Sequence, residues 1–163
     1  MPVLIMMNKS YCDDNALANV VNYVSKAGYG LYEGYGVDPR CAEEQMQAVK
    51  ETWGKDHGRR IRHFILSFSS SEAIGYEQLM LLGFEICRYY AEYQSVYGLH
   101  IDTDHLHLHF AINTVSYKTG KMYAGGLSDW HRLQGYIQGL MPQWYVELRV
   151  SDGRNNGEND LES

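Results

Sequence analysis

Short stretches of apolar residues, several of them alternating with polar ones, recur along this chain and are separated by longer polar segments. Alternation with a period of two is typical of a strand with one buried face, and short unbroken apolar runs are typical of strands buried on both faces. The pattern predicts six β-strands, at 3–8, 59–68, 95–101, 105–116, 121–124 and 144–150.

Helical spacing follows the first of these strands. Leu17, Val20, Val21 and Val24 fall at positions i, i+3, i+4 and i+7, so their side chains share one face of a helix. Tyr23 lies about 110° from the middle of that apolar face on a 3.6-residue repeat. We therefore expect Tyr23 at the edge of the apolar stripe, from which its ring can reach out of the core.

Three further helices are predicted. The sequence Ser69-x-x-Glu72 has the pattern of a capping box and indicates the start of the longest one, which is expected to extend to about Tyr93. The Gly- and Tyr-rich stretch at 29–39 predicts a mobile loop. The three helices are expected at 41–53, from 69 to about 93, and from 129 to about 141.

The order of these elements decides the predicted fold class. Strands and helices do not alternate regularly, as they would in a doubly wound sheet, and the strands between 95 and 124 must pair as antiparallel hairpins. The expected class is α+β, with an antiparallel sheet, helices packed on one face and the other face open.

Length and charge limit the possible functions. With 163 residues the chain is expected to form one catalytic domain, at 1–150, followed by an acidic, disordered tail at 151–163. The net charge of −6 counts against a nonspecific nucleic-acid binder, although "KDHGRRIRH" at 55–63 is a basic segment. The widely spaced cysteines and the lack of a long apolar run favour a cytoplasmic protein away from membranes, with a monomer as the default.

The segment "HIDTDHLHLHF" holds four of the seven histidines within residues 100–110. Alternation along the strand places His105, His107 and His109 on the face opposite the apolar residues. If the turn spans 102–105, residues whose numbers sum to 207 are paired. His100 then faces His107, and Gly98 faces His109 and leaves open space above the sheet.

His100, His107 and His109 are therefore predicted to converge on one metal ion. Three imidazoles leave coordination positions for water or substrate, as in catalytic metal sites. Asp102 or Asp104 is expected to orient one of the imidazoles. Nitrogen ligands suit Mn²⁺, Zn²⁺ or Ni²⁺ better than Mg²⁺. The alternative is that these histidines only form the polar face of a solvated strand.

Three motifs in order resemble those of a known family. "HIDTDHLHLHFAIN" is similar to the third motif of the relaxase and mobilisation nucleases, which belong to the HUH endonuclease superfamily. "RHFILSFSSSE" at 62–72 resembles their second motif, and "NALANVVNYVSK" at 15–26 resembles the first, which carries a nucleophilic tyrosine. The resemblance extends from residue 1 to about 150 and is closest to the mobilisation-protein (MobP-like) branch.

This resemblance implies site-specific nicking of single-stranded or hairpin DNA at an origin of transfer. Tyr23 would attack the scissile phosphate and form a 5′-phosphotyrosyl link, with Asp102 or His105 as the candidate base. Family members use Mn²⁺ or Mg²⁺, and relaxosome accessory proteins are expected partners. The resemblance and the strand pattern suggest four DNA-binding residues, namely His63, Ser67, Asn113 and Lys121.

Several alternatives stay open at the level of the sequence. Tyr29, Tyr32 and Tyr35 are rival nucleophiles. A rolling-circle replication initiator shares HUH chemistry, but in that class the histidine motif precedes the tyrosine, whereas here Tyr23 precedes His107 by 84 residues. The other candidates are a metal-dependent hydrolase that activates water and a non-enzymatic metal-containing nucleic-acid-binding module.

Overall fold

The computed structural model describes residues 1–152, so the predicted tail, apart from its first two residues, lies outside the described residues. Short 3₁₀ turns at Pro39–Cys41 and Arg88–Tyr90 accompany the regular elements. In chain order these elements are β1 (Val3–Met7), α1 (Ala16–Ser25), β2 (Tyr32–Tyr35), α2 (Ala42–Thr52), β3 (Ile61–Phe68), α3 (Tyr76–Cys87), β4 (Ser95–His100), β5 (Leu106–Asn113), α4 (Leu127–Leu140) and β6 (Glu147–Ser151).

The strands form a single six-stranded sheet in the order β2-β4-β5-β3-β1-β6. Every neighbouring pair is antiparallel except β1 and β6, which run parallel. The α+β class is thus confirmed, but the sheet is mixed rather than purely antiparallel. A parallel pair requires a long crossover rather than a hairpin, and α4 precedes β6 in the connection that leads to this edge.

One face of the sheet carries the main apolar core. Phe64 and Leu66 of β3 and Leu108 and Phe110 of β5 are completely buried there. The rings of Phe64 and Phe110 stack with their centroids 4.5 Å apart. Helices α3 and α4 cover this face with apolar residues that include Leu79, Leu82, Ile86, Leu133 and Ile137.

The opposite face is not open, which corrects the prediction that helices pack on one face only. Val20 and Val24 of α1 and Met46 of α2 form a second buried cluster with Val96 and Ala111 of the sheet. The apolar stripe predicted on α1 is therefore confirmed, but it packs against the face that also carries the histidines.

Three elements differ from the sequence prediction. The segment predicted as a strand at 121–124 forms only an isolated bridge between Val115 and Met122. The stretch at 29–39 contains β2, which pairs with β4 at the edge of the sheet. Ser69 and Glu72 make the expected contact, since the Ser69 N–H donates to Glu72 Oε2 at 2.8 Å, but α3 begins only at Tyr76. The Gly75 N–H donates to the side chain of Gln78 instead, at 3.2 Å, so a second polar contact accompanies the actual start of the helix.

Within residues 1–152, no helix combines the length and the apolar character that a membrane span requires.

Candidate active site

The pairing of β4 with β5 confirms the predicted register. His100 pairs with His107 and Gly98 pairs with His109. On the other side of β5, Ser67 pairs with His107 and Ile65 pairs with His109. Because paired residues share a face of the sheet, the three predicted ligands project toward α1 together.

The imidazole rings of these three residues lie close together. The ring centroids of His100 and His109 are 4.1 Å apart, and those of His107 and His109 are 6.1 Å apart. His105 lies further along the strand, with its ring 6.2 Å from that of His107. The three rings thus approach each other as the register predicts.

One nitrogen atom each of His100 and His109 nevertheless bonds to a protein group. Nε2 of His100 lies 3.2 Å from the carbonyl oxygen of Val24 and donates its hydrogen to it. Nδ1 of His109 lies 3.2 Å from Nε2 of His63. Within the described part of the chain, no set of three or more His, Cys, Asp or Glu side chains is already arranged to hold a metal ion. The ligand set therefore stays a prediction.

The electrostatic environment suits a divalent cation. Burial, followed by the neighbouring His63, His100 and His107, holds the pKa of His109 well below its usual value. Burial, with smaller effects of Lys9 and His100, lowers the pKa of His63 to about 3. Neutral imidazole is the form that binds metals. The donor atoms present therefore fit a divalent ion that accepts nitrogen ligands.

Tyr23 lies directly beside the histidines. Its ring centroid is 5.1 Å from that of His109, 5.4 Å from that of His100 and 6.0 Å from that of His63. The side chain is 40% exposed, which confirms its expected place at the edge of the apolar stripe. Burial and then the charge of Asp102 raise the pKa of the Tyr23 phenol, so the carboxylate of Asp102 acts electrostatically on this hydroxyl.

Gly98 determines how closely α1 approaches. A Cβ atom at this position would lie only 2.5 Å from the carbonyl oxygen of Val24 and 2.9 Å from Cβ of Ala27. The space predicted to be open above Gly98 is therefore filled by the end of α1. This close approach brings Tyr23 over the histidines.

A groove with a volume of about 720 Å³ begins at Tyr23 and His63 and extends along the segment that follows β1. Its polar lining includes Asn8, Lys9 and Asn19, which are exposed side chains with hydrogen-bonding groups. The groove joins the candidate catalytic residues to a surface that a flexible polar chain can occupy.

Comparison with known proteins identifies the family. Residues 17–143 match the family model described as relaxase, MobA/VirD2-like, nuclease domain. The chain belongs to the relaxase nuclease-domain family. This result confirms the resemblance found in the motifs and favours a relaxase over a replication initiator.

Individual relaxases are similar over part of their length. Protein rlx from Staphylococcus aureus is 32% identical over 118 residues, which cover 72% of this chain and 35% of that protein. Protein TraI from Escherichia coli is 33% identical over 60% of this chain and 14% of its own length. Protein MobA from Acidithiobacillus ferrooxidans is 41% identical over 38% of this chain and 16% of its own length. The chain thus spans about a third or less of these relatives.

A solved structure described as "Molecular Basis of Vancomycin Resistance Transfer in Staphylococcus aureus" is similar to this one, and the alignment covers 74% of this chain and 73% of the other. The sequence identity is 12% and the TM-score is 0.38.

Two of the predicted DNA-binding residues are buried and bonded to protein groups, and their role in DNA binding stays a prediction. Asn113 is completely buried, and its Nδ2 donates to the Met46 carbonyl at 3.2 Å and to Gln94 Oε1 at 3.0 Å, so it holds α2 against the sheet. His63 is also buried, and its ring nitrogens face His109 and Tyr11 rather than solvent.

The other two predicted DNA-binding residues differ in position. Ser67 is buried beside His107, on the histidine face. Lys121 is exposed and pairs with Ser116, beyond the end of β5 that is remote from the histidines. Asn113, the last residue of β5, is already six residues from His107, which is roughly 20 Å at the rise of a strand, and Lys121 lies beyond that end. The structure therefore does not bring Lys121 to the site.

The rival nucleophiles lie elsewhere. Tyr29 is fully exposed on the loop after α1. Tyr35 packs on Phe84 at the edge of the sheet, and Tyr32 lies against the α1–α2 cluster. Sequence reasoning instead missed Tyr11, whose hydroxyl lies 3.4 Å from Nδ1 of His63. No periodicity or motif marks this residue, because it lies in the irregular segment between β1 and α1.

Proposed function

We propose that this relaxase domain nicks one strand of DNA at an origin of transfer by transesterification to Tyr23. The observation that carries the proposal is the ring of Tyr23 lying within 5.1–5.4 Å of His109 and His100 on an exposed edge of α1. A partly exposed phenol beside clustered imidazoles has the components required for attack on a phosphodiester.

The reaction forms one phosphoester bond as it breaks another. Oη of Tyr23 attacks the phosphorus atom, the bond to the 3′-oxygen breaks, and the strand keeps a 5′-phosphate joined to the tyrosine. Asp102 is the proposed base, because its charge acts on the Tyr23 hydroxyl. It accepts the phenol proton, while the departing 3′-oxygen takes a proton from solvent. His105 is the alternative base.

Some agent must favour the phenolate, because both burial and Asp102 raise the pKa of Tyr23. The residues that would hold a divalent cation are His100, His107 and His109. Bound Mn²⁺ or Mg²⁺ would supply positive charge that neutralises the phosphate oxygens and assists departure of the 3′-oxygen. Zn²⁺ or Ni²⁺ is also compatible with nitrogen ligands.

The groove that begins at Tyr23 supports single-stranded or hairpin DNA as the substrate. Lys9 and Asn19 line it and offer hydrogen bonds to phosphates or bases. Ser67, next to His107, is proposed to contact the phosphate at the nick. In the cell, relaxosome accessory proteins are proposed to present the origin to this domain.

To test this, the domain is incubated with Mn²⁺ and a single-stranded oligonucleotide that carries the transfer origin of the mobile element encoding the protein. A denaturing gel then detects the covalent protein–DNA adduct. Tyr23→Phe is expected to reduce the adduct by roughly a thousandfold or more, and His107→Ala by roughly a hundredfold or more.

Tyr29→Phe is the matched control, because that ring is fully exposed on the following loop. It should leave the adduct unchanged. An adduct of normal yield in Tyr23→Phe would exclude Tyr23 as the nucleophile. Nicked DNA without any adduct would favour activated water instead.

A further inference from the structure

His63 links the candidate metal site to a residue outside it. Its Nε2 lies 3.2 Å from Nδ1 of His109, and its Nδ1 lies 3.4 Å from the hydroxyl of Tyr11. The rings of His63 and His109 are also stacked, with an angle of 26° between their planes. Three side chains from β1–α1, β3 and β5 thus form one continuous hydrogen-bonded chain.

Tyr11 is held in an unusual backbone conformation. Its φ angle is +46°, in the left-handed region that residues with a side chain seldom adopt. A conformation of this kind persists only where the surrounding structure imposes it. The Tyr11 carbonyl accepts the Arg60 N–H at 2.8 Å, which helps to hold the segment. The ring consequently packs edge-on against His63, with centroids 6.5 Å apart.

Only one direction of this chain is compatible with metal binding by His109. If Tyr11 donates to His63, then His63 donates to Nδ1 of His109, and neutral His109 must carry its hydrogen on Nε2. That nitrogen then has no lone pair for a metal. In the opposite direction, His109 donates from Nδ1 to His63, His63 donates to the oxygen of Tyr11, and Nε2 of His109 keeps its lone pair.

We propose that Tyr11 and His63 are positioning residues that hold His109 in the tautomer whose Nε2 binds the metal ion. This inference rests on the proposed metal site of the relaxase reaction. Partners that fix a ligand's tautomer commonly change metal affinity by 10- to 100-fold. In this role His63 acts on the metal through His109.

The experiment measures metal binding and tautomers, without DNA. Calorimetry with Zn²⁺ or Mn²⁺ alone gives the affinity, and nitrogen-15 NMR of the histidine rings with Zn²⁺ gives the tautomers. Tyr11→Phe and His63→Leu should each weaken binding about tenfold or more. His63→Gln, whose amide oxygen can accept from His109, should recover part of the affinity. In the wild-type complex, both His63 and His109 should carry their hydrogen on Nδ1.

Tyr32→Phe is the control, because it removes a tyrosine hydroxyl on the same face of the sheet without touching a hydrogen bond to a histidine. Its metal affinity should equal that of the wild type. Wild-type affinity in Tyr11→Phe and His63→Leu, or a hydrogen on Nε2 of His109 in the complex, would overturn the inference. A wild type that binds no metal would do so too.

The outcome for the reaction is separate. If both variants bind metal more weakly but the wild type forms no DNA adduct, the positioning role is supported and the proposed nicking activity is contradicted. If the wild type forms the adduct but both variants bind metal as tightly as the wild type, the nicking activity is supported and the positioning role is contradicted.

Discussion

The two faces of the sheet are built from the same strands but have different contents. The face under α3 and α4 is apolar, with stacked Phe64 and Phe110 at its centre. The face under α1 and α2 combines a smaller apolar cluster with the histidines, and the groove leaves part of it accessible. The larger apolar cluster thus lies on the face without the histidines, and the imidazoles, which are costly to bury, share their face with the smaller cluster.

The histidine face is also where glycine and alanine replace large side chains. Gly98 and Ala111 lie beneath the helices on that side, whereas the opposite face uses Tyr97 and Phe110 at neighbouring positions. Small residues let α1 approach the sheet, and this approach brings a phenol over the histidines. The comparison can be tested by changing one face at a time.

The largest effect is expected from Phe110→Ala. Loss of a completely buried aromatic side chain should lower the free energy of unfolding by about 3–5 kcal/mol. His107→Ala, on the same strand but on the other face, should lower it much less, in denaturant titrations without metal. An equal decrease in the free energy of unfolding for the two variants would show that both faces contribute similarly to stability.

A smaller effect is expected at Lys50, a fully buried residue of α2 whose Nζ donates to Thr114 Oγ1 at 3.0 Å. Burial lowers its pKa to about 8, so between pH 8 and 10.5 the unfolded chain binds more protons than the folded one. Stability relative to Lys50→Met should therefore rise through this window, by on the order of 2–3 kcal/mol. Parallel stability curves for the two proteins from pH 7 to 10.5 would contradict this.

Gly98→Ala should separate the helix from the histidines. The new Cβ would collide with the Val24 carbonyl and displace α1, so adduct formation should fall about tenfold while the fold persists. Gly135→Ala in α4 is the control, because nothing lies within 4 Å of its added Cβ. It should leave the adduct unchanged and slightly raise the melting temperature. An unaffected Gly98→Ala would mean that α1 adjusts without moving Tyr23.

The smallest effect is expected for DNA affinity. Lys9→Ala, in the groove, should raise the Kd for single-stranded DNA by about threefold. It should also reduce the slope of log affinity against log salt concentration by about one, the contribution of a single phosphate contact. Lys121→Ala, remote from the histidines, should change neither quantity in fluorescence-anisotropy titrations over a range of salt concentrations. A larger effect at Lys121 would place the DNA along a different path.

What the sequence by itself determined is local. Alternation along β5, the hairpin between 100 and 107 and the helical spacing around Tyr23 follow from short-range geometry, so the register, the apolar faces and the exposed edge of α1 were predictable. The three motifs in order were also sufficient to indicate the family.

Only the tertiary structure decided how distant segments meet. The parallel addition of β6, the pairing of β2, the burial of Asn113 under α2 and the link from Tyr11 to His63 each join residues far apart in the chain. No short-range periodicity carries that information. Glycine at position 98 is compatible both with open space above the sheet and with a closely packed helix, because it has no side chain. Only the packing of α1 decided that a helix fills this space.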